Sequence, residues 1–256
     1  MITNIDGYNI NYKWLGEGEE TIVFLQGWGT TCDVYTAPAQ LLANKYRVLL
    51  FDFPGFGGSD EPKEPWGVSE YAEFFLKLMN KLEISEACLI GHSYGGRVII
   101  KLAAGASNGF KISRIVLVDS AGIIAKKTFK QKLSIKKYKF IKKVVSISFV
   151  HKICPDLIDE WKNKQGSADY RNASPMMKQC MVKAINEDLT EYLPKIKEET
   201  LLIWGENDTA TPLSDGKLMD SLIPDSGLAV IKNAGHFSFL DQPGIFNNIL
   251  KSYFKF

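Results

Sequence analysis

Apolar positions along the chain follow two rhythms. Short runs of aliphatic and β-branched residues, "TIVFLQ" (21–26), "YRVLLFD" (46–52), "ACLIG" (87–91), "RIVLVDS" (114–120), "TLLIWG" (200–205) and "GLAVI" (227–231), are bounded by turn residues and are too short for helices. Apolar runs of this length predict strands covered on both faces, as in a parallel sheet. An N-terminal pair of strands is expected around 2–5 and 8–15. Between the runs, apolar residues recur every three or four positions. Positions 71, 74, 75, 78, 79 and 82 line one face of a helix over 69–82, with Ser69 as its N-cap. Further helices are expected over 94–104, 212–222 and 243–254.

This alternation predicts an α/β fold: a mostly parallel, twisted central sheet with helices on both faces. The alternation fails once. From Ala121 to about Pro194 no strand signal appears and the segment reads as several helices. The chain is therefore expected to form a core from 1–120 and 195–256, with a helical cap, 121–194, inserted in it.

Composition narrows the function classes. With 45% hydrophobic and 23% charged residues in 256, the chain is ordinary globular material. No apolar run approaches the ~18 residues of a membrane span, and the polar start "MITNIDGYNINYK" has no secretory-signal pattern. A cytoplasmic protein without a transmembrane segment is expected. Cys32, Cys88, Cys154 and Cys180 lack CxxC spacing and read as free thiols, so neither a disulfide scaffold nor a metal site is expected. A net charge of +2 is too small for a general nucleic-acid binder.

The charge is unevenly spread, however. Ten lysines lie between Lys126 and Lys152, and no acid falls between Ser120 and Asp156. Interleaved apolar residues (Phe129, Leu133, Tyr138, Ile141, Val144, Val145) predict a helix with one buried and one basic face. A solvated surface accounts for it; so would an acidic substrate, an acidic carrier protein or an anionic membrane surface.

The chemistry centres on Gly91-His92-Ser93-Tyr94-Gly95, a G-x-S-x-G pentapeptide directly after a strand run and opening a helix. In that context Ser93 reads as a nucleophile on a sharp turn, the alternative being a serine in a glycine-rich strand-to-helix link. A serine hydroxyl attacks nothing unaided; it needs a base, an orienting acid and an anion pocket. The chain has three histidines. His92 adjoins the serine and should point away from it, and His151 lies beside a lysine in the insertion. His236, in "NAGHFSFLDQP", leaves the last strand at the carboxyl edge of the sheet, where ligands bind in open α/β folds. It is the candidate base, or else a packing histidine before the final helix. Asp208 in "WGENDTATP" is the candidate acid, with Glu206 as competitor and a turn-forming role as its alternative. For the anion pocket, the backbone N–H of Tyr94 and that of Trp28 in "LQGWGTTCD" are the candidates, each donor typically worth about 3 kcal/mol of barrier. The Trp28 ring can also wall the substrate pocket.

Together, "DFPGFGGSD" (52–60), "GHSYGG" (91–96), "GENDTATP" (205–212) and "GHFSFLDQP" (235–243) resemble the recurring blocks of the α/β-hydrolase fold superfamily, in its small single-domain branch with a helical cap. The resemblance implies a triad of Ser93, Asp208 and His236, with the backbone of Trp28 and Tyr94 as the oxyanion hole. One departure is Gln26-Gly27, where the family has His-Gly. Relatives that open haloalkanes or epoxides carry Asp at the elbow, so Ser93 implies acyl chemistry through an ester intermediate. The expected function is cleavage of an ester or similar acyl bond of a small apolar substrate, with no cofactor. Alternatives are carbon–carbon hydrolysis of a vinylogous diketone, a lyase or acyltransferase reaction, or a small-molecule receptor. The "DFPGFGGSD" block is read as structural, its Asp52 and Ser59 holding a tight turn.

Overall fold

The computed structural model describes residues 1–106, 109–124 and 168–256. Eight strands form one sheet: β1 Ile2–Ile5, β2 Tyr8–Leu15, β3 Thr21–Leu25, β4 Arg47–Phe51, β5 Glu86–His92, β6 Lys111–Val118, β7 Thr200–Gly205 and β8 Ser226–Ile231. Their order across the sheet is β1-β2-β4-β3-β5-β6-β7-β8. β1 and β2, and β2 and β4, pair antiparallel, and every other neighbouring pair is parallel. All six apolar runs are thus parallel strands of one sheet.

Burial on both faces explains why the five inner runs lack polar alternation; β8, at the sheet edge, is only partly covered and leaves Val230 exposed. Ile22, Phe24, Val48, Leu50, Cys88 and Ile90 project into one core, where they meet Leu42 of α1 (Thr36–Leu42) and Phe246, Leu250 and Phe254 of the C-terminal helix Pro243–Phe254. Their strand neighbours Val23, Leu25 and Leu49 are equally buried, toward the opposite face. That face is covered by α2 (Val68–Lys81), with buried Tyr71, Phe75 and Leu78, and by α3 (Tyr94–Lys101), with buried Val98 and Ile99.

Some boundaries differ from the sequence reading. Ser69 is not the N-cap of α2: the helix begins at Val68 behind Gly67, whose N–H donates to the Glu70 carboxylate at 2.8 Å. α3 ends at Lys101 and continues as a π-turn over Leu102–Ala106, in which Gly105 has φ 123°. Cys32–Tyr35 forms a 3-10 turn leading into α1, neither of which the apolar pattern marks. After β6, the described elements before β7 are all helical: α4 Ala168–Asn172, α5 Pro175–Ile185 and a 3-10 turn over Thr190–Lys195. The chain divides into two compact units, Met1–Ile123 with Ser174–Phe256, and Ile124–Ala173. The segment 121–194 read as an insertion therefore spans the second unit and part of the first. The Asp52 turn is structural as expected: its carboxylate accepts N–H bonds from Cys32 at 2.7 Å and Gly58 at 2.9 Å, and the Ser59 hydroxyl donates to its carbonyl at 2.7 Å. Among the described residues no helix is long and apolar enough to cross a membrane.

Candidate active site

Parallel strands deliver their following loops to one edge of the sheet. Ser93 follows β5 with φ 48° and ψ −107°, a backbone state that L residues rarely adopt. Three backbone bonds hold it there. Its N–H donates to the Val118 carbonyl at 3.0 Å, and its own carbonyl accepts from Gly96 at 3.1 Å and Ala121 at 3.0 Å. The helix start must also lie against β3: a Cβ on Gly95 would stand 2.0 Å from the Leu25 carbonyl oxygen.

The structure brings three of the sequence candidates together. The Ser93 hydroxyl lies 2.9 Å from His236 Nε2, and His236 Nδ1 lies 2.8 Å from Asp208 Oδ2. His236 sits on the loop between β8 and a short helix, Ser238–Asp241, with 21% of its side chain exposed, while the Asp208 side chain is wholly shielded. Asp208 Oδ1 accepts N–H bonds from Ala210 at 2.8 Å and Thr211 at 3.0 Å, and the Thr211 hydroxyl lies 2.7 Å from Oδ2. Burial opposes its charge, but the bonds from His236 and Thr211 outweigh burial and hold the carboxyl below the usual range. Glu206, the competitor, is exposed.

Trp28 follows β3, and its ring meets Phe56 and Tyr94 edge-on at centroid distances of 5.0 and 5.1 Å. Among the described residues, neither its backbone N–H nor that of Tyr94 finds a hydrogen-bond acceptor. Gln26, which stands where the resembling family has a histidine, is buried. Its side-chain carbonyl accepts from the Phe53 N–H at 3.2 Å and its amide donates to the Thr30 carbonyl at 2.5 Å, tying the loop after β3 to that after β4.

Two buried acceptors and donors at this edge were not singled out in the sequence. Asp119, at the end of β6, accepts from Gly205 N–H at 2.7 Å, Ser238 N–H at 3.1 Å and the Ser238 hydroxyl at 2.6 Å, joining β7 to the His236 loop. Burial pushes this carboxyl up to about 6 against those bonds. Tyr35 lies 3.0 Å from His92 Nδ1. His92 is bonded elsewhere than to the Ser93 hydroxyl: its Nε2 lies 2.7 Å from the His236 carbonyl. Burial, with His236 nearby, pushes it down to about 3, so it is neutral at physiological pH. An Asp ending a parallel strand was the available signal for Asp119; Tyr35 offered none.

His151, Cys154 and the lysine-rich face over 126–152 lie outside the described residues. Cys32, Cys88 and Cys180 are buried free thiols. Among the described residues no cluster of His, Cys, Asp and Glu could hold a metal ion.

Comparison with known proteins agrees with the architecture. A dienedioate hydrolase of Pseudomonas putida (2-hydroxy-6-oxononadienedioate/2-hydroxy-6-oxononatrienedioate hydrolase) is 28% identical, over 96% of this chain and 91% of its own. A 3-oxoadipate enol-lactonase of Acinetobacter baylyi is 23% identical, over 96% of this chain and 93% of its own. The crystal structure of an enol-lactonase from Burkholderia xenovorans superposes with a TM-score of 0.76 at 21% identity, covering all of both chains. Residues 20–243 match the α/β hydrolase fold family, and the chain belongs to it.

Proposed function

We propose that this protein is a serine hydrolase that cleaves a carboxylic ester, or a similar acyl bond, of a small apolar substrate in the cytoplasm. The observation that carries the reading is the hydroxyl–imidazole–carboxylate chain, 2.9 Å and then 2.8 Å, from Ser93 through His236 to Asp208. In this reading His236 Nε2 takes the Ser93 proton as the oxygen attacks the acyl carbon. Its Nδ1–H donates to Asp208, which stabilises the imidazolium and fixes the tautomer. The Trp28 and Tyr94 amides hold the oxyanion. The imidazolium then protonates the leaving group, and a water molecule, deprotonated by His236, releases the acid from Ser93.

The enol-lactonase of A. baylyi supports an ester-type bond by its name. The dienedioate hydrolase of P. putida favours a second reading, carbon–carbon hydrolysis of a vinylogous diketone by the same groups. Incubation with a fluorophosphonate and a panel of acyl esters and diketone dienoates tests both. Labelling confined to Ser93, lost in Ser93→Ala, with ester turnover lowered up to about 10⁴-fold in Asp208→Asn, is the expected result. Turnover of the dienoates alone would select the second reading, and a wild-type protein that is neither labelled nor active would overturn both.

A further inference from the structure

The proposed reaction uses neither His92 nor Tyr35, yet both are buried beside its groups, at 2% and 3% exposure. Their bonds can run in only one sense. The His236 carbonyl can only accept, so His92 Nε2, 2.7 Å away, carries the proton and donates it. A neutral imidazole then has a bare Nδ1, which accepts from the Tyr35 O–H at 3.0 Å. Tyr35 Oη in turn accepts from the Gly27 N–H at 3.0 Å. The chain thus runs from Gly27 N–H to Tyr35, to His92, to the backbone of His236, its directions fixed by the carbonyl at its end together with the neutral state that burial imposes on His92.

Both ends of the chain lie at the candidate site. A Cβ on Gly27 would stand 2.6 Å from His92 Nδ1 and 3.5 Å from the Ser93 Cβ, so this backbone rests directly on the elbow, one residue before Trp28. The other end is the residue that bonds the Ser93 hydroxyl. Aromatic packing leaves the two rings little freedom: Tyr35 stacks on Phe239 at 5.1 Å, and His92 meets Phe237 and Phe239 at 4.9 and 5.2 Å.

We propose that Tyr35 and His92 are positioning residues, a hydrogen-bond relay that holds the Gly27–Trp28 loop and the His236 loop in register about Ser93. The proposal rests on the hydrolase reading above, since it assigns the relay a reaction to serve. A reacting group misplaced by about 1 Å can cost on the order of a hundredfold in rate, which is the effect the relay prevents.

Tyr35→Phe removes the hydroxyl and keeps the ring. His92→Phe keeps only ring shape, whereas His92→Gln keeps an N–H for the His236 carbonyl. Nitrogen-15 spectra of wild-type imidazoles are expected to show His92 protonated on Nε2 and bare on Nδ1. Tyr35→Phe and His92→Phe should slow fluorophosphonate labelling of Ser93, and kcat for an acyl ester, by about tenfold to a hundredfold with KM little changed. His92→Gln should recover part of that loss. A His92 proton on Nδ1, a folded Tyr35→Phe labelled at the wild-type rate, or equal rates for the two His92 variants would each overturn the relay. If Tyr35→Phe does not fold, the two His92 variants decide. Wild-type protein that resists labelling would instead overturn the hydrolase reading and the relay with it, whereas labelled wild type with indifferent variants overturns the relay alone.

Discussion

Ser93 occupies a backbone state, φ 48° and ψ −107°, of a kind that costs about 1–3 kcal/mol and persists only where its surroundings over-determine it. Here the bonds to Val118, Gly96 and Ala121 do so. Asp208 is over-determined in a different currency, hydrogen bonds to charge. Its folded carboxyl gives up its proton more readily than in the unfolded chain, whose value is about 3.9. The stability it contributes is therefore complete above that value and is lost as pH falls through the lower, folded one. Between about pH 5 and about pH 3 the melting temperature of the wild type is expected to fall more steeply than that of Asp208→Asn, which calorimetry across that range checks. Equal slopes would mean that Asp208 has no depressed value. At this scale the sequence disclosed what elimination can reach. Three histidines and one serine elbow left His236 as the base candidate, and an acid on a neighbouring strand-end loop followed. Tyr35 was illegible because nothing in "CDVYTAP" marks it; its partner His92 is 57 residues away, and the bond exists only once β5 lies beside β3.

Elements were legible where burial imposes a pattern and obscure where a local contact decides. Five of the six parallel strands show as apolar runs because both of their faces are covered; β8, at the edge, is apolar though only partly buried. α1 has seven residues, two turns, too few for an apolar period to emerge from "TAPAQLL". The start of α2 was misplaced because Ser69 has the chemistry of a cap, whereas the side chain that closes the first turn is Glu70, reaching back to Gly67. The union of β5 and α3 gives the sharpest expectation at this scale. At Gly95 an added methyl would meet not a flexible side chain but the Leu25 carbonyl, at 2.0 Å. Gly95→Ala must therefore push α3 away from β3, and the elbow moves with the helix. The expected result is a loss of about 3 kcal/mol or more in urea denaturation, together with weakened labelling of Ser93. A variant as stable and as readily labelled as the wild type would show that helix and strand can part without disturbing the serine.

The whole molecule divides its tasks unequally. The unit formed by Met1–Ile123 and Ser174–Phe256 holds all eight strands together with Ser93, Asp208, His236 and the relay from Gly27. Replacing 124–173 by a glycine-serine linker of about fifteen residues, with a reach of ~20 Å, is expected to leave one cooperative thermal transition and a Ser93 that still takes the fluorophosphonate. Loss of both would mean that the first unit does not stand without the second. The order of the candidate groups along that unit has a further consequence. Serine and imidazole are 143 residues apart, and the imidazole belongs to the loop after β8. During synthesis, which folds chains from the N-terminal end, the turn at Ser93 can form while its proposed base does not yet exist. On the proposed roles, a nascent chain therefore carries an inert hydroxyl until the stretch that holds His236 has been made.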